Sequence, residues 1–526
     1  MSADAEPLFS LPHNILPDCV ALNARWRPDR PALIAGGLRL SWGELAARAD
    51  RVANGLLAAG VRPGDTVATL LPNAPETLEI MLGVWRAGAT LVPLSTMLTA
   101  EILAGMVRDA APTAVFVHRE YAEVLHPGVA GVATVLPGAW HAVGHDGPGW
   151  TAYADWAARQ PARDPGVRSA PTDRFNIIYS SGTTGIPKGI VHSHAARFNF
   201  AWARVADFRI ARESVILIAT PLYHNGSMLT LLPALLTGAA IVVMERFDAG
   251  AALELIELEH CTHTFMVPSQ YVDLVAHPHW AEADLSSLSM ALTAGAAIRH
   301  DTKAALLERL GDALMELYGA TEGFSITIRG NEMPARPDSV GTPVVGVDVR
   351  IVGDDDREVA PGAVGELCGR SPFLMMGYHN QPELSAEALW RDAEGRSYYR
   401  SGDLGRRDEQ GYFYVSGRKK EMIISGGINV YTQDLESVLH RHPDVADAAV
   451  IGVPHPRWGE TPVAYVVLKP GARADAAQLD AIAAWANQQL SKFQRIAAVR
   501  AIAALPRNAM GKVQKALLRA RHQEEQ

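Results

Sequence analysis

Short apolar runs alternate with longer amphipathic segments through most of the chain. The short runs are rich in β-branched and aromatic residues, a pattern typical of buried strands. We predict such strands at Thr66–Leu71, Thr113–His118, Phe175–Tyr179, Val215–Ala219, Ala240–Met244 and His263–Val267. Helices are predicted between or beside them at Leu78–Trp85, Ala251–His260 and Thr302–Arg309. This alternation predicts an α/β architecture with parallel-rich sheets and flanking helices.

The pattern changes after Gly341. Short predicted strands at Val347–Val352, Gly365–Cys368 and Gly411–Val415 are separated by glycine, proline and aspartate turns. Such spacing is typical of a small β-rich subdomain. We assign this subdomain to the large N-terminal domain.

A basic cluster, Arg418-Lys419-Lys420, precedes a run typical of a compact α+β domain. Its predicted helices are Gln433–His440 and Ala476–Leu490, and its predicted strands are Ala446–Gly452 and Val463–Leu468. We therefore predict a large domain over residues 1–417 and a small, mobile C-terminal domain over residues 418–526. The joint falls at Gly417–Lys420.

Composition excludes several classes of protein. A chain of 526 residues exceeds what one hydrophobic core usually supports, and 48% hydrophobic with 20% charged residues excludes a disordered chain. The net charge of −9 argues against a general affinity for nucleic acid or anionic membranes. The three cysteines, Cys19, Cys261 and Cys368, are widely separated, which fits buried thiols in a reducing cytoplasm rather than a disulfide framework.

No segment predicts membrane insertion or secretion. Met1–Pro17 carries acidic residues where a signal peptide would be basic, and no apolar region follows it. Leu229–Met244 is the most apolar stretch, but it contains Pro233 and Gly238 and is shorter than the roughly 20 residues of a membrane helix. We expect a cytoplasmic protein without integral membrane association.

The strongest chemical signal is the segment Tyr179–Gly189, with the sequence YSSGTTGIPKG. It follows the predicted strand Phe175–Tyr179, as a phosphate-binding loop follows a strand. Glycines let backbone N–H groups surround an anion, hydroxyls add donors, and Lys188 supplies a positive charge. It is not a Walker A loop, because Gly189 follows the lysine. A solvated turn is the alternative, but four hydroxyls, three glycines and a lysine in this order favour phosphate binding.

Three further segments are weak signals when each is taken alone. Tyr318–Glu322 offers a threonine donor and a carboxylate suited to Mg²⁺, or simply a helix start. Tyr399–Leu404 contains Asp403, which could bind a ribose diol or form an ordinary turn. Pro506–Lys515 contains Lys512, which could reach an α-phosphate or be a solvated surface charge.

Together, in this order and spacing, the four segments resemble the core motifs of the acyl-adenylate-forming (AMP-binding) superfamily, over essentially the whole chain. That superfamily includes acyl-CoA synthetases, firefly-type luciferases and peptide-synthetase adenylation domains. The resemblance implies that ATP and coenzyme A are co-substrates and that Mg²⁺ is the cofactor. It also implies that Lys420 is the hinge between the two domains. It implies catalytic roles for Lys512, Thr184, Glu322 and His224, with Glu322 and Thr184 at the metal. The implied ATP contacts are Ser180, Ser181, Gly182, Thr183, Thr184, Lys188, Gly295, Ala296, Glu316, Tyr318, Gly319, Thr321, Asp403, Arg418 and Lys512.

The resemblance also places the acid and the acceptor. The acyl pocket would be lined by His224, Asn225, Gly226, Ala294, Gly295 and Phe324, although His224 could equally be a polar loop residue. This lining is largely neutral, which favours a monocarboxylate with an aromatic or medium-chain aliphatic tail. Contacts to CoA would come from Arg246, Ser425, Gly426 and Gly427. The sequence departs from several plant aryl-CoA ligases at Gly426, where those enzymes carry a lysine.

We therefore predict an ATP-dependent acid:CoA ligase that forms an acyl-adenylate, releases pyrophosphate and then makes a thioester. Its expected partners are a carboxylic acid, ATP and CoA, with a homodimer as a further expectation and no nucleic acid. One alternative is an adenylating enzyme that loads a carrier protein or stops at the adenylate. A second is a non-catalytic nucleotide-binding regulator, which predicts loss of Lys512, Glu322 or a loop hydroxyl, yet all are present.

Overall fold

A computed structural model describes residues 14–180, 187–425, 428–492, 494–507 and 513–525. Its helices are α1 (Leu16–Trp26), α2 (Trp42–Ala58), α3 (Pro75–Arg86), α4 (Ala100–Ala110), α5 (Pro127–Ala130), α6 (Tyr153–Ala158), α7 (His194–Phe208), α8 (Asn225–Thr237), α9 (Ala249–Leu258), α10 (Pro268–Ala276), α11 (His300–Leu310), α12 (Pro382–Glu387), α13 (Thr432–His440), α14 (Ala476–Gln489) and α15 (Lys515–Glu524).

The strands follow the same chain order. They are β1 (Pro31–Ala35), β2 (Leu38–Ser41), β3 (Thr66–Leu70), β4 (Thr90–Pro93), β5 (Ala114–His118), β6 (Trp140–Val143), β7 (Thr151–Ala152), β8 (Arg174–Ser180), β9 (Lys188–Ser193), β10 (Val215–Ile218), β11 (Ala240–Val243), β12 (His263–Met266), β13 (Met290–Ala294), β14 (Leu314–Ala320), β15 (Phe324–Arg329), β16 (Thr342–Pro343), β17 (Asp348–Val352), β18 (Gly365–Arg370), β19 (Gly377–Tyr378), β20 (Leu389–Arg391), β21 (Ser397–Arg407), β22 (Phe413–Arg418), β23 (Ile423–Ser425), β24 (Ile428–Val430), β25 (Val445–His455), β26 (Gly459–Leu468) and β27 (Ala498–Ala501).

The chain divides into two compact units. The first comprises Met1–Phe265, Ala283–Leu288 and Pro372–Glu387. The second comprises Met266–Glu282, Ser289–Ser371 and Ala388–Gln526.

The first unit contains parallel-rich sheets. In one, β4, β3, β5, β6 and β7 run parallel beside β8, and β9 and β19 extend the β8 edge as antiparallel strands. In a second sheet, β12, β10, β11 and β1 run parallel, and β2 pairs antiparallel with β1. Side chains such as Val92, Val115 and Ile177 form a buried core with the inner face of α4. This arrangement confirms the predicted α/β class.

The second unit is richer in antiparallel strands. Parallel β13 and β14 are followed by antiparallel β15 and β16, and a separate sheet has the order β17-β18-β21-β20 with β22 on β21. Near the C-terminus, β24-β23-β26-β25 forms a sheet with β27 parallel to β26. Helices α13 and α14 cover that sheet through a core that includes Leu435, Val450 and Ile482. The predicted β-rich and α+β regions are both present.

Two predicted boundaries are wrong for local backbone reasons. The predicted strand Gly411–Val415 begins later, because Gly411 has φ of 88° in a turn where its N–H donates to the carbonyl of Asp408 at 3.1 Å. The predicted helix Ala251–His260 ends at Leu258, because His260 adopts a left-handed φ of 49°. In both cases the backbone conformation, rather than the hydrophobic pattern, sets the end of the element.

The three cysteines are free and buried, as predicted. Burial raises the pKa of the Cys19 thiol to about 11 and the pKa values of Cys261 and Cys368 to about 12. Within the described residues, no helix combines the length and apolar character that a membrane span requires.

Buried histidines predict that acid destabilises the first unit. Burial lowers the pKa of His141 to about 3 and that of His194 to about 4, from an ordinary value of 6.5. As pH falls below about 6.5, the unfolded chain binds protons that the folded chain does not, so the free energy of unfolding decreases. Each histidine contributes at most about 1.4 kcal/mol per pH unit in this window.

A substitution at His141 tests this expectation. Its ring stacks on Phe116 at 4.4 Å between centroids and lies 4.3 Å from Trp156, so His141→Phe keeps the aromatic contacts and removes the titrating group. The urea concentration at the unfolding midpoint should fall less between about pH 7 and pH 5 in this variant than in the wild type. The same change at exposed His279 should leave the loss unaltered. An identical loss in the wild type and His141→Phe would contradict the assignment.

Candidate active site

The predicted phosphate loop connects two antiparallel strands. Ser180 at the end of β8 pairs with Lys188 at the start of β9, so these two predicted ATP contacts mark the two ends of the loop. Lys188 Nζ lies 5.2 Å from the centroid of the Tyr378 ring, within cation–π distance. The remaining predicted contacts of the loop, Ser181, Gly182, Thr183 and Thr184, lie outside the described residues.

The strand that enters this loop is anchored by Tyr179. Its hydroxyl donates to Asp109 Oδ2 at 2.5 Å. The other side of Asp109 is held by Asn380, whose Nδ2 donates to Oδ1 at 3.2 Å, and by His379, whose Nε2 lies 3.1 Å from the Asp109 carbonyl oxygen. Burial, with the charge of Asp109 adding to it, raises the pKa of Tyr179, so the phenol remains a donor at neutral pH. The entry to the loop is therefore fixed by a half-buried polar network.

His224 precedes helix α8 in a loop that Asn73 holds. Asn73 Nδ2 donates to the carbonyl oxygens of Thr220 and Met244, each at 3.0 Å. The N–H of Leu222 donates back to Asn73 Oδ1 at 2.7 Å. One side chain thus fixes the backbone on which the predicted acid-binding residues stand.

His224 is a neutral imidazole at pH 7, because burial lowers its pKa to about 4. In the part of the chain that the structure describes, His224 Nε2 and Asn225 Oδ1 are buried and have no hydrogen-bond partner. A buried polar atom without a partner costs about 1–3 kcal/mol. These two atoms are therefore suited to receive polar atoms of a ligand.

Gly226 has a packing explanation in addition to the predicted one. A Cβ at this position would lie 2.6 Å from Cε1 of Phe265. The close approach of α8 to this ring requires glycine, whether or not the residue also leaves room for a bulky acid.

Arg246 is an exposed residue of the first unit and forms an ion pair. Its Nη2 lies 2.7 Å from Glu120 Oε1. An exposed pair of this kind contributes little to stability, about 0–1 kcal/mol, so an incoming phosphate can displace the glutamate.

In the second unit, the structure brings together three predicted ATP contacts around Asp403. Arg418 stands opposite Asp403 in the β21–β22 ladder, and its Nε lies 2.7 Å from Asp403 Oδ1. The hydroxyl of Tyr318 donates to Asp403 Oδ2 at 2.6 Å. Arg418 Nη1 also donates to the carbonyl of Ser401 at 3.1 Å. The carboxylate is therefore held in one orientation, as paired hydrogen bonds to a diol require.

The charges around Asp403 support the same arrangement. Burial raises the pKa of Tyr318, and the neighbouring Asp403 raises it further. Burial alone would lower the pKa of Arg418, but the attraction of Asp403 outweighs it and the pKa is raised. The phenol thus stays protonated and the guanidinium stays charged.

Thr321 and Glu322 lie in the tight turn between antiparallel strands β14 and β15. Gly319 stands just before this turn, and a Cβ there would lie 2.4 Å from the carbonyl oxygen of Phe324. Glycine is therefore required by the close approach of the two strands. The hairpin places a hydroxyl and a carboxylate side by side at its tip.

Glu316, another predicted ATP contact, has a partner that sequence reasoning missed. Its Oε1 lies 2.7 Å from Nζ of Lys303 on α11. Burial raises the pKa of Glu316, and Lys303 opposes that shift. A direct contact between Glu316 and ATP stays a prediction.

The remaining residues predicted to line the acyl pocket differ in their surroundings. Ala294 ends β13, and Gly295 and Ala296 form the bend that follows. Phe324 is 1% exposed and lies in a hydrophobic core with Ile326 and its neighbours. A place for the Phe324 ring in an acyl pocket therefore stays a prediction.

The C-terminal candidates are only partly described. Lys420 lies in a 3₁₀ turn, Lys419–Glu421, between β22 and β23. Ser425 ends β23 and is buried opposite Gly459 of β26. Gly426, Gly427 and Lys512 lie outside the described residues.

The sequence indicated many of the candidate site residues but not the side chains that hold them in place. Asp109 and Lys303 are distant in sequence from Tyr179 and Glu316, and no motif contains them. Lys515, which is described below, stands in the same motif as Lys512 and could have been noticed there.

Comparison with known proteins identifies the class. The AMP-binding enzyme family matches residues 20–379, and the C-terminal domain of AMP-binding enzymes matches residues 434–512. The chain therefore belongs to the AMP-binding enzyme family, and the family predicted from the four motifs is confirmed.

Three similar proteins illustrate this membership. Feruloyl-CoA synthase of Amycolatopsis sp is 36% identical over 505 residues, which cover 95% of this chain and 97% of that protein. Indoleacetate–CoA ligase of Aromatoleum aromaticum is 35% identical over 511 residues, covering 95% and 96%. The ATP-bound structure of MatB from Rhodopseudomonas palustris has a TM-score of 0.87 and 30% identity, covering 96% of this chain and 99% of that one.

Proposed function

We propose that this enzyme is an ATP-dependent carboxylic acid:CoA ligase that works through an acyl-adenylate. The observation that carries the proposal is Asp403, held by Tyr318 and Arg418 in the geometry expected of a ribose-binding carboxylate. The family membership and the CoA ligases among the similar proteins support the same activity, and the predicted class of ATP-dependent acid–CoA ligase is confirmed at that level.

The proposed first step is attack of a carboxylate on the α-phosphate of ATP, with release of pyrophosphate. Both reactants are anionic, so the step requires positive charge at the phosphates. Lys188 at the end of the phosphate loop and Lys512 supply that charge and align the reactants. Thr321 donates a hydrogen bond to the α-phosphate.

The proposal includes Mg²⁺, for which the residues present are suitable. Mg²⁺ is usually held by one or two carboxylates together with substrate phosphates and water. Glu322 at the hairpin tip offers one such carboxylate, with Thr184 as the second proposed ligand. Within the described ranges, no group of three or more acidic, histidine or cysteine residues forms an all-protein metal site. Bound Mg²⁺ would neutralise charge on the triphosphate.

The proposed second step is attack of the CoA thiol on the acyl carbon, with AMP as the leaving group. One active site cannot easily hold both Lys512 and a pantetheine arm at the same carbonyl group. We therefore propose that residues 418–526 rotate about Lys420 between the two steps. Ser425, Gly426 and Gly427 would then flank the pantetheine arm.

The proposed acid is a monocarboxylate with an aromatic or medium-chain aliphatic tail. His224 is neutral at pH 7, so it can offer a hydrogen bond but no charge to pair with a second carboxylate. The other residues predicted to line the acyl pocket, such as Asn225, Gly226 and Ala294, are also uncharged. An apolar tail therefore suits this lining better than a dicarboxylate or an amino acid does.

A screen of acids for pyrophosphate release tests the function. Aromatic, medium-chain, dicarboxylic and amino acids would each be supplied with ATP and Mg²⁺, with and without CoA. Release with an aromatic or medium-chain acid, and acyl-CoA as product when CoA is present, is expected. Adenylate that accumulates unchanged in the presence of CoA would favour the alternative of a carrier-protein acceptor. No release with any acid would favour the non-catalytic alternative.

Removal of the charge at Arg246 is expected to raise the KM for CoA by about tenfold or more, and to affect the KM for ATP and the acid less. A charge-assisted contact to a CoA phosphate contributes about 1.5–3 kcal/mol. Steady-state kinetics of Arg246→Ala would measure the three constants. Glu120→Gln is the matched control, because it frees Arg246 from its ion pair and should not raise the KM for CoA. An effect on ATP alone would remove Arg246 from the proposed CoA site.

Two expectations complete the proposal. The acidic net charge and three buried cysteines fit a cytoplasmic enzyme. A homodimer is proposed as well, and sedimentation would measure it.

A further inference from the structure

A buried lysine ties the start of the last helix to two other elements. Lys515, the first residue of α15, is 9% exposed. Its Nζ lies 2.7 Å from Glu436 Oε1 and donates to Thr432 Oγ1 at 2.8 Å, both on α13. The same ammonium lies 3.5 Å from Glu421 Oε2, at the end of the 3₁₀ turn that contains Lys420. One side chain therefore joins α15, α13 and the predicted hinge.

The partners of this ammonium are themselves held in place. Glu436 Oε1 accepts a hydrogen bond at 2.8 Å from the backbone N–H of Val450, in the middle of β25. Thr432 is 2% exposed. A buried ion pair with such fixed partners restricts geometry strongly, because loss of either charge leaves the other uncompensated.

The two residues just before Lys515 are hydrogen-bonded to the residues that precede position 508. Val513 and Arg507 form an antiparallel bridge, and the N–H of Gln514 donates to the carbonyl of Pro506 at 2.8 Å. Arg507 is bound in turn by Asp447 of β25, with 2.5 Å between Nη2 and Oδ2. Val513 and Gln514, which follow Lys512 in sequence, are therefore held against Arg507 and Pro506. Lys515 is the anchor on the side that follows Lys512.

We propose that Lys515 is a positioning residue for adenylate formation, because it ties the start of α15, three residues after Lys512 in sequence, to α13 and to the hinge turn. The inference rests on the proposed function, in which Lys512 acts at the α-phosphate. Its physical basis is that a misplacement of about 1 Å in an aligned reaction can cost about 10²-fold in rate. Because Glu421 is bound to the same ammonium, the start of α15, three residues after Lys512 in sequence, is tied directly to the hinge turn.

The test compares the two half-reactions in Lys515→Met, which keeps an unbranched side chain and removes the ammonium. Adenylate formation, measured as single-turnover pyrophosphate release, should fall by about tenfold or more in rate with little change in the KM for ATP or acid. Thioester formation from synthetic acyl-adenylate and CoA should stay within about twofold of wild type. Lys515→Arg should restore most of the adenylation rate, because a guanidinium can pair with the same carboxylates.

Two further variants separate positioning from folding. Lys515→Met leaves Glu436 uncompensated, so the double variant Lys515→Met/Glu436→Gln removes that charge and keeps the acceptor for Val450. It should melt close to wild type while its adenylation rate remains low. Lys492→Met, at an exposed lysine, is the matched control and should leave both half-reactions unchanged.

The outcomes are distinct. An equal loss of both half-reactions in a folded variant, or full adenylation by the double variant, would overturn the role of Lys515. If wild type and Lys492→Met released no pyrophosphate with any acid, the proposed function itself would fail.

Discussion

Lys512→Ala is expected to reduce the rate of adenylate formation by at least about 10²-fold, the usual cost of removing a donor aimed at developing charge. The α-phosphate gains negative charge as the carboxylate attacks, and Lys512 is the residue proposed to stabilise it there. Thioester formation from synthetic acyl-adenylate should remain near the wild-type rate, because Lys512 is needed only in the first step. Single-turnover assays of pyrophosphate and of acyl-CoA would measure the two rates.

Lys469→Ala provides the matched control for this experiment, since Lys469 is an exposed lysine of the same region. It should leave both rates unchanged. A comparable loss of both half-reactions in Lys512→Ala would show that the lysine serves both steps or the fold.

Lys420→Pro is expected to lower thioester production by about 10²-fold or more while single-turnover pyrophosphate release persists. Lys420 occupies a 3₁₀ turn, in which φ is about −50° to −70°. Proline fixes φ near −65°, so it fits this turn and removes the freedom that rotation about the residue requires. ATP and the acid bind mainly to residues 1–417 in the proposed scheme, so the first step needs only Lys512 to dock.

Two measurements make the hinge experiment decisive. Lys420→Ala removes the same side chain without restricting the backbone and should keep both half-reactions. Circular dichroism and thermal melting would identify a variant whose linker has simply unfolded. A well-folded Lys420→Pro enzyme that makes acyl-CoA at the normal rate would contradict the proposed rotation about this residue.

The parts of the fold that could be predicted are those with a local cause. The strand leading to the phosphate loop was predicted as Phe175–Tyr179 and spans Arg174–Ser180, because an apolar run bounded by a glycine-rich loop has few other solutions. The ends at Gly411 and His260 were missed, because a left-handed backbone angle leaves no mark in the hydrophobic pattern. Local pattern thus defines an element better than it defines where the element ends.

The parts of the site that could not be predicted are contacts between distant segments. Asp403 was predicted from its own motif, but its hydrogen bond to Tyr318 joins residues 85 positions apart. The contact between Lys515 and Thr432 spans 83 positions. A motif indicates which chemical groups are present, whereas the partners that orient those groups depend on the tertiary fold.

The burial of every cysteine has a practical consequence for an enzyme whose proposed co-substrate is itself a thiol. At neutral pH a thiol with a pKa of about 11 or 12 is almost entirely protonated, and Cys19, Cys261 and Cys368 are also shielded from solvent. Mixed disulfides between the protein and CoA are therefore disfavoured. A chromogenic thiol reagent added to an assay of the native enzyme would therefore react with the free thiol of CoA and hardly with the three cysteines.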